Sequence, residues 1–354
     1  MLNPDPFYSP GAYNPEQIPD QSPAKKQPWL RRFGSMRLPW GCTQDIFPTS
    51  VLTSIEPVSL RLQEEMDRAR DEQKSRGEYI PKPFEHIDLH DRLDNEKIRH
   101  AQFPASSKFW MYMQAIGKGG AIILSLIIIF TCFIAASIIE GDYFSLLLEA
   151  LPAAIYFIVP PLIMWEIGSL VINHFPKLWI KPSRGPLWEF NRRTGLVTVF
   201  DYDNNGEYKK NGTIGEKVAP FYEFDAYITV TPDRQGLPNN VLCIVHRYRD
   251  IWINMANFVG ASGSTSEPCA LWDYLQNYMD ISKPLPDTPR LEAFRHLDPT
   301  TAEQDRHTGR EPRYWLDMDD ATFKAKVREM TERIPQIDTF SRPNLMAQHV
   351  SYGG

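Results

Sequence analysis

Cysteine is scarce in this chain: four in 354 residues, Cys42, Cys132, Cys243 and Cys269, each far from the others. No CxxC pair occurs, which excludes a zinc site built on paired thiolates, and the isolated positions supply no disulfide framework. An excess of basic charge is missing too. With a net charge of -6 and a pI near 5.8, the chain presents no cationic face to displace phosphate counterions, and nucleic acid is not an expected partner. The opening MLNPDPFYSPGAYNPEQIPDQSP lacks the basic start and apolar core of a secretory signal. The loop Gly260-Ala-Ser-Gly-Ser-Thr-Ser266 lacks the lysine of a phosphate-cradling loop and the spacing of a GxSxG nucleophile turn, so it is read as a linker.

The most informative absence is that of charge between Gly119 and Ile139, GGAIILSLIIIFTCFIAASII. At about 1.5 Å per residue, a helix of roughly twenty apolar residues matches the roughly 30 Å hydrocarbon core of a bilayer. A second apolar stretch, Tyr143 to Ile172, follows after only Glu140, Gly141 and Asp142, so the two are predicted to form a transmembrane hairpin. Lys108 and Lys118 precede it, Lys177, Lys181, Arg184, Arg192 and Arg193 follow it, and the connecting loop is acidic. Basic flanks stay cytoplasmic, which predicts both termini inside and the small loop outside. Trp110, Tyr143, Trp165 and Trp179 suit the two interfaces.

The second span has two possible frames, and each buries a carboxylate. A helix beginning near Tyr143 encloses Glu149, and one running from Ala150 to Ile172 encloses Glu166, either at roughly 9 Å depth. Pro160 and Pro161 each remove an amide hydrogen and are expected to kink this helix. Gly119, Gly120, Ala135 and Ala136 allow close helix approach without forming a GxxxG pattern.

The hairpin divides the chain into four predicted parts. Residues 1–108 are a cytoplasmic proline-rich arm with short helices, residues 109–176 the membrane hairpin (spans about 119–139 and 144–172), residues 177–283 a cytoplasmic β-rich domain with a closing helix, and residues 284–354 a linker, helix and tail. Up to about Thr49 the arm is expected to be extended, since many prolines and little apolar content leave too little burial to offset chain ordering, with its aromatics available to anchor on another surface. Pro57 to Ser75 reads as a helix, with Pro57 in the first turn and Gly77 as the stop. His86 and His90 stand four apart in EHIDLHD, but zinc takes a third protein ligand and no HExxH arrangement is present, so no metal or cofactor is expected.

After Arg184 the texture changes to strand-like runs. Leu187–Phe190 and Leu196–Phe200 flank Asn191-Arg-Arg-Thr-Gly195, where Gly195 can take positive φ and close a hairpin. Asp203–Gly206 and Asn211–Gly212 give further turns, Ala226–Thr231 and Val241–Tyr248 a strand pair, and Ile251–Phe258 one more strand. Ser266 is placed to cap a helix reaching Met279 with an apolar stripe of Leu271, Trp272, Leu275 and Met279, and another helix is predicted from Asp320 to Arg333. The fold class expected is an α+β membrane protein: a two-helix hairpin, then a small antiparallel β domain, pleckstrin-homology-like or a Greek-key sandwich, with a packed C-terminal helix.

The run Leu187-Trp-Glu-Phe-Asn-Arg-Arg-Thr-Gly-Leu-Val-Thr-Val-Phe200, after a membrane hairpin and before a Trp/Tyr-rich helix, resembles a family of uncharacterised bacterial membrane proteins often encoded near type VI secretion toxins. The resemblance spans Phe109 to Asp280 and centres on Asn191, Arg192 and Gly195. It implies residence in the bacterial inner membrane and a role in antibacterial competition, as an immunity protein or a toxin accessory, and it carries no catalytic residues. The function expected is therefore a non-enzymatic inner-membrane protein, in contact with the lipid bilayer, that occludes a protein partner such as a cognate secreted toxin. The alternatives are a structural or sensory membrane module, or a membrane enzyme or transporter component using Glu149, Glu166 or the His86 and His90 pair. The oligomeric state stays open.

Overall fold

The computed structural model describes all residues except 1–6, 26–33, 82–84, 86–89, 140–142, 150, 182, 184, 203–213 and 353–354. The turns expected at Asp203–Gly206 and Asn211–Gly212 lie outside the described residues, as does His86. The chain is α+β, with two apolar helices and antiparallel sheets, and divides into two compact units.

The first unit gathers residues 1–79, 91–100 and 186–354. Its first sheet has the order β2-β3-β4-β5-β6, made of Arg92–Leu93, Lys97–Ala101, Pro186–Asn191, Leu196–Asp201 and Gly215–Pro220. Strands β4, β5 and β6 run as an antiparallel meander. The second sheet has the order β1-β7-β8-β9, where β1 is Met36–Arg37, β7 Phe224–Pro232, β8 Pro238–His246 and β9 Trp252–Asn254. The last predicted strand, Ile251–Phe258, is thus only three residues long; Asn254 accepts from the Ala256 amide through its side chain and starts a short helix, Ala256–Val259.

Helix Ser266–Met279 closes this unit. An apolar stripe was expected, yet every residue from Pro268 to Met279 is buried, so the helix runs through the core rather than along its surface. The cap also differs. Thr265 is the N-cap and makes no side-chain bond, while Glu267 accepts from the Thr49 amide and hydroxyl at 3.1 and 2.6 Å. The helices Pro57–Ser75 and Asp320–Arg333 have the expected bounds, the first followed by Gly77 at φ 72° and the second capped by Asp319.

The aromatics of the predicted arm are anchored in the core of this unit. Tyr13, Leu38, Trp40, Phe47, Val51 and Leu52 are buried in the same core as Phe190, Phe221, Trp272 and Tyr278, with Met346 and Val350 from the other end of the chain. Trp40 meets Trp272 and Phe221 edge-on at 4.8 and 5.0 Å, and Tyr13 meets Phe221 at 5.1 Å. A few large aromatics, each seated in the core, bury enough apolar area to order a proline-rich segment that has no helical or strand period. The described residues of 1–79 and 284–354 therefore share one compact unit with those of 186–283.

The second unit contains residues 80–90 and 101–185. Within it, α1 spans Ala105–Ile139, α2 Tyr143–Glu149, α3 Leu151–His174 and α4 Pro176–Trp179. The expected second span thus divides between α2 and α3. Helices α1 and α3 pack side by side because glycines face backbone: a Cβ on Gly117 would lie 2.4 Å from the Trp165 amide nitrogen, and one on Gly168 would lie 2.8 Å from that of Gln114. Ala121 is buried here as well. The close approach centres on Gly117 and Gly168; a Cβ on Gly119 would meet nothing within 4 Å.

Candidate functional site

The turn Asn191–Gly195 joins β4 to β5. Asn191 accepts from the Thr194 amide at 3.1 Å through its side-chain oxygen, and the Gly195 amide donates to the Asn191 carbonyl at 2.8 Å. Gly195 sits at φ 71°, where a Cβ would lie 2.3 Å from the Gly11 carbonyl oxygen. Both the backbone conformation and the approach of residues 11–13 demand glycine.

The two arginines of this turn have opposite fates. Arg192 is fully buried, and each of its five guanidinium N–H groups has an acceptor. Nε donates to Asp298 at 2.9 Å, Nη1 to the carbonyls of Tyr278 and Asp280, and Nη2 to the Lys283 carbonyl at 2.7 Å and again to Asp298. Asp298 also accepts from the Tyr8 hydroxyl at 2.7 Å and from Thr301, capping helix Pro299–Thr308. Burial pushes the Tyr8 phenol above its usual range, against the pull of Arg192. Arg193 points outward, bonds the Phe7 carbonyl at 2.6 Å and pairs with Glu96 at 3.5 Å. The motif is thus a junction of three chain segments, not a surface loop.

Two more buried arginines repeat the device. Arg247 donates to Asp225 at 2.7 Å, and that carboxylate also accepts from Trp40 and Tyr352, near opposite ends of the chain. Arg342 grips Asp273 with two bonds of 2.9 Å and reaches the Cys42 carbonyl at 2.8 Å. Burial raises the Asp273 carboxyl pKa while the Arg342 fork opposes the shift.

A cleft of about 930 Å³ lies in this unit between helix Pro57–Ser75 and residues 290–316. Ile55, Leu60, Leu93, Phe294, Pro312 and Leu316 contribute apolar surface, and five arginines line it. Arg295 pairs with Asp305 at 2.6 Å, Arg310 with Glu292 at 2.6 Å, Arg313 with Glu64 at 2.6 Å and Arg306 with Glu303. Arg290 is exposed and has no carboxylate partner among the described residues. Burial works against the Arg310 charge, yet Glu292 and Asp287 hold its pKa above the ordinary value. Glu64, Asp67, Glu292, Asp305 and Glu311 also line the cleft, so it carries both signs of charge. Its volume falls within the range of ligand-binding clefts. Among the described residues no group of three or more His, Cys, Asp and Glu side chains is placed to hold a metal ion.

The membrane candidates stay apart. Glu149 ends α2 and Glu166 lies in α3, and both side chains are exposed. Pro160 and Pro161 lie within the single helix α3, and Pro161 packs on Gly120. Gln114 donates to Ser169 at 3.2 Å, and the Cys132 sulfur lies 3.9 Å from the Leu146 carbonyl oxygen. Glu166 lies within Ala154–His174, a stretch long and apolar enough to cross a membrane. Glu149 precedes that stretch.

No family model matches this chain, and neither a curated protein nor a solved structure does. The buried role of Arg192 had no signal in the sequence beyond its place in the turn, because its partners lie 86 to 106 residues away.

Proposed function

We propose that this chain is a two-span inner-membrane protein whose α+β unit remains cytoplasmic and binds a protein partner without chemistry of its own. The observation that carries the reading is the surface of the two long helices. Their most apolar windows are only 11 % buried, with Ile122, Leu126, Phe130, Phe133, Ile155 and Phe157 among the exposed side chains. The core helix of a water-soluble protein shows the reverse, and lipid removes the penalty that water would impose on this surface. The acidic loop then lies outside, and the bases after His174 stay inside.

Two successive antiparallel meanders followed by a buried helix support the pleckstrin-homology-like version of the β domain. The cleft beside helix Pro57–Ser75 offers the concave surface at which a partner is held and occluded. The type VI secretion assignment, as immunity or accessory protein, rests on the resemblance of Leu187–Phe200. A strain carrying such a toxin gene beside this one tests the proposal. Deletion should render it sensitive to its sister strain, and a photo-cross-linker at Gln63 should capture the toxin unless Ala293→Trp fills the cleft. Full resistance of the deletion strain overturns the immunity role, and capture undiminished by Ala293→Trp overturns the cleft.

A further inference from the structure

The packing of α1 on α3 sets two opposite charges at one level. A Cβ on Gly117 would lie 2.4 Å from the Trp165 amide nitrogen, one on Gly120 3.3 Å from Pro161 Cβ, and one on Gly168 2.8 Å from the Gln114 amide nitrogen. Residues 114, 117 and 120 therefore stand beside 168, 165 and 161, an antiparallel pair. Lys118 and Glu166 each follow one member of the Gly117 and Trp165 contact, so their levels differ by two residues, roughly 3 Å of helical rise. Because one helix ascends while the other descends, a single step onward from that contact turns both side chains toward the same side of the pair. The Lys118 ammonium lies over the Trp165 ring, 5.9 Å from its centre. Lys118 and Glu166 are both exposed, and neither has an ion pair or hydrogen bond among the described residues.

If the hairpin spans a bilayer, as proposed above, Glu166 lies about 12 Å of rise inside the C-terminal end of Ala154–His174, where an ionised group without a partner is costly. A second copy carries the same base and the same acid at the same level. A two-fold axis along the membrane normal brings the matching sides together and sets Lys118 of each copy opposite Glu166 of the other, leaving no charge over. We infer that the hairpin pairs with a second copy of this chain through reciprocal Lys118 and Glu166 contacts, with Trp165 between them. The inference rests on the two-span reading and adds to it a self-complementary face. Its competitor is a Lys118 and Glu166 pair closed within one chain, and the two arrangements differ in what mixing two variants does.

The test uses the full-length chain, labelled with donor or acceptor at the exposed Cys42 and reconstituted in phosphatidylcholine vesicles. Energy transfer between copies, followed as lipid dilutes the protein, reads the association. Lys118→Glu alone and Glu166→Lys alone should pair about tenfold more weakly than the wild type, the scale of polar contacts between membrane helices. The uncharged changes Lys118→Met and Glu166→Gln should weaken pairing as well. Mixing Lys118→Glu protein with Glu166→Lys protein should restore it, because each copy then meets its opposite across the axis. Neither a misfolded variant nor a pair closed within one chain is restored by mixing. Wild-type transfer no greater than chance proximity, undiminished transfer in the single variants, or no recovery on mixing overturns the inference. Failure of the wild-type protein to float with the vesicles overturns the two-span reading instead.

Discussion

Arg192→Met separates the two arginines of one turn by their energetics. The substitution keeps most of the side-chain length, removes five hydrogen bonds and leaves the Asp298 carboxylate, itself fully buried, with only Tyr8 and Thr301 as donors. Removing one member of a buried ion pair costs about 3 to 5 kcal/mol, because a charge and several carbonyls lose their partners without regaining water. In a unit of this size each kcal/mol moves the midpoint by about 2 to 4 °C, so the main thermal transition should fall by roughly 6 to 20 °C. Intrinsic tryptophan fluorescence of the full chain in detergent reads it, since Trp40, Trp188, Trp272 and Trp315 are buried in this unit. Arg193→Ala, altering a side chain 44 % exposed, should cost about 1 kcal/mol or less. Combining Arg192→Met with Asp298→Asn should cost less than the sum of the two single changes, because the second removes the charge stranded by the first. Equal midpoints for Arg192→Met and Arg193→Ala would refute the claim that Arg192 joins the three segments.

Gly195→Ala should destabilise the same transition by about 1 to 3 kcal/mol, through its positive φ and the clash with Gly11, as calorimetry would show. In the hairpin, Gly117→Leu should abolish cross-linking between Gln114→Cys and Ser169→Cys, whereas Gly119→Leu should leave it intact. Acidification is the third probe. His246 is buried, its Nε2 lies 2.8 Å from Glu223, and its Nδ1 accepts from the amides of Tyr248 and Arg249. Burial lowers its pKa, with Arg249 adding to the shift and Glu223 opposing it. A base whose pKa is lowered on folding binds fewer protons in the native state, so stability is complete above the ordinary histidine range and falls as pH drops through it. Unfolding midpoints between pH 7.5 and 5 should decline in the wild type and less steeply in His246→Gln; parallel declines would count against this role.

Local signals were legible where the chain announces its own ends. Pro57 and Gly77 bracket one helix, Asp319 opens another, and Asn191 with Gly195 marks a tight hairpin, all by chemistry within a few residues. The apolar run was equally plain, as its length alone suits a membrane-crossing helix. What the sequence withheld is long-range. Tyr13, Trp40 and Phe47 follow no period, so their joining of a core with helix Ser266–Met279 shows only in three dimensions. The cleft escaped notice for a related reason, since its walls come from residues 55–67 and 290–316, each polar enough to read as solvated.

Cysteine accessibility tests the central claim most directly. In a Cys42→Ser background, Gly141→Cys in the acidic loop and Gln235→Cys in an exposed turn of the α+β unit are treated with a membrane-impermeant maleimide in intact cells, then after permeabilisation. The account requires Gly141→Cys to react before permeabilisation and Gln235→Cys only after it. Equal reactivity of the two sites in intact cells would contradict a bilayer between them.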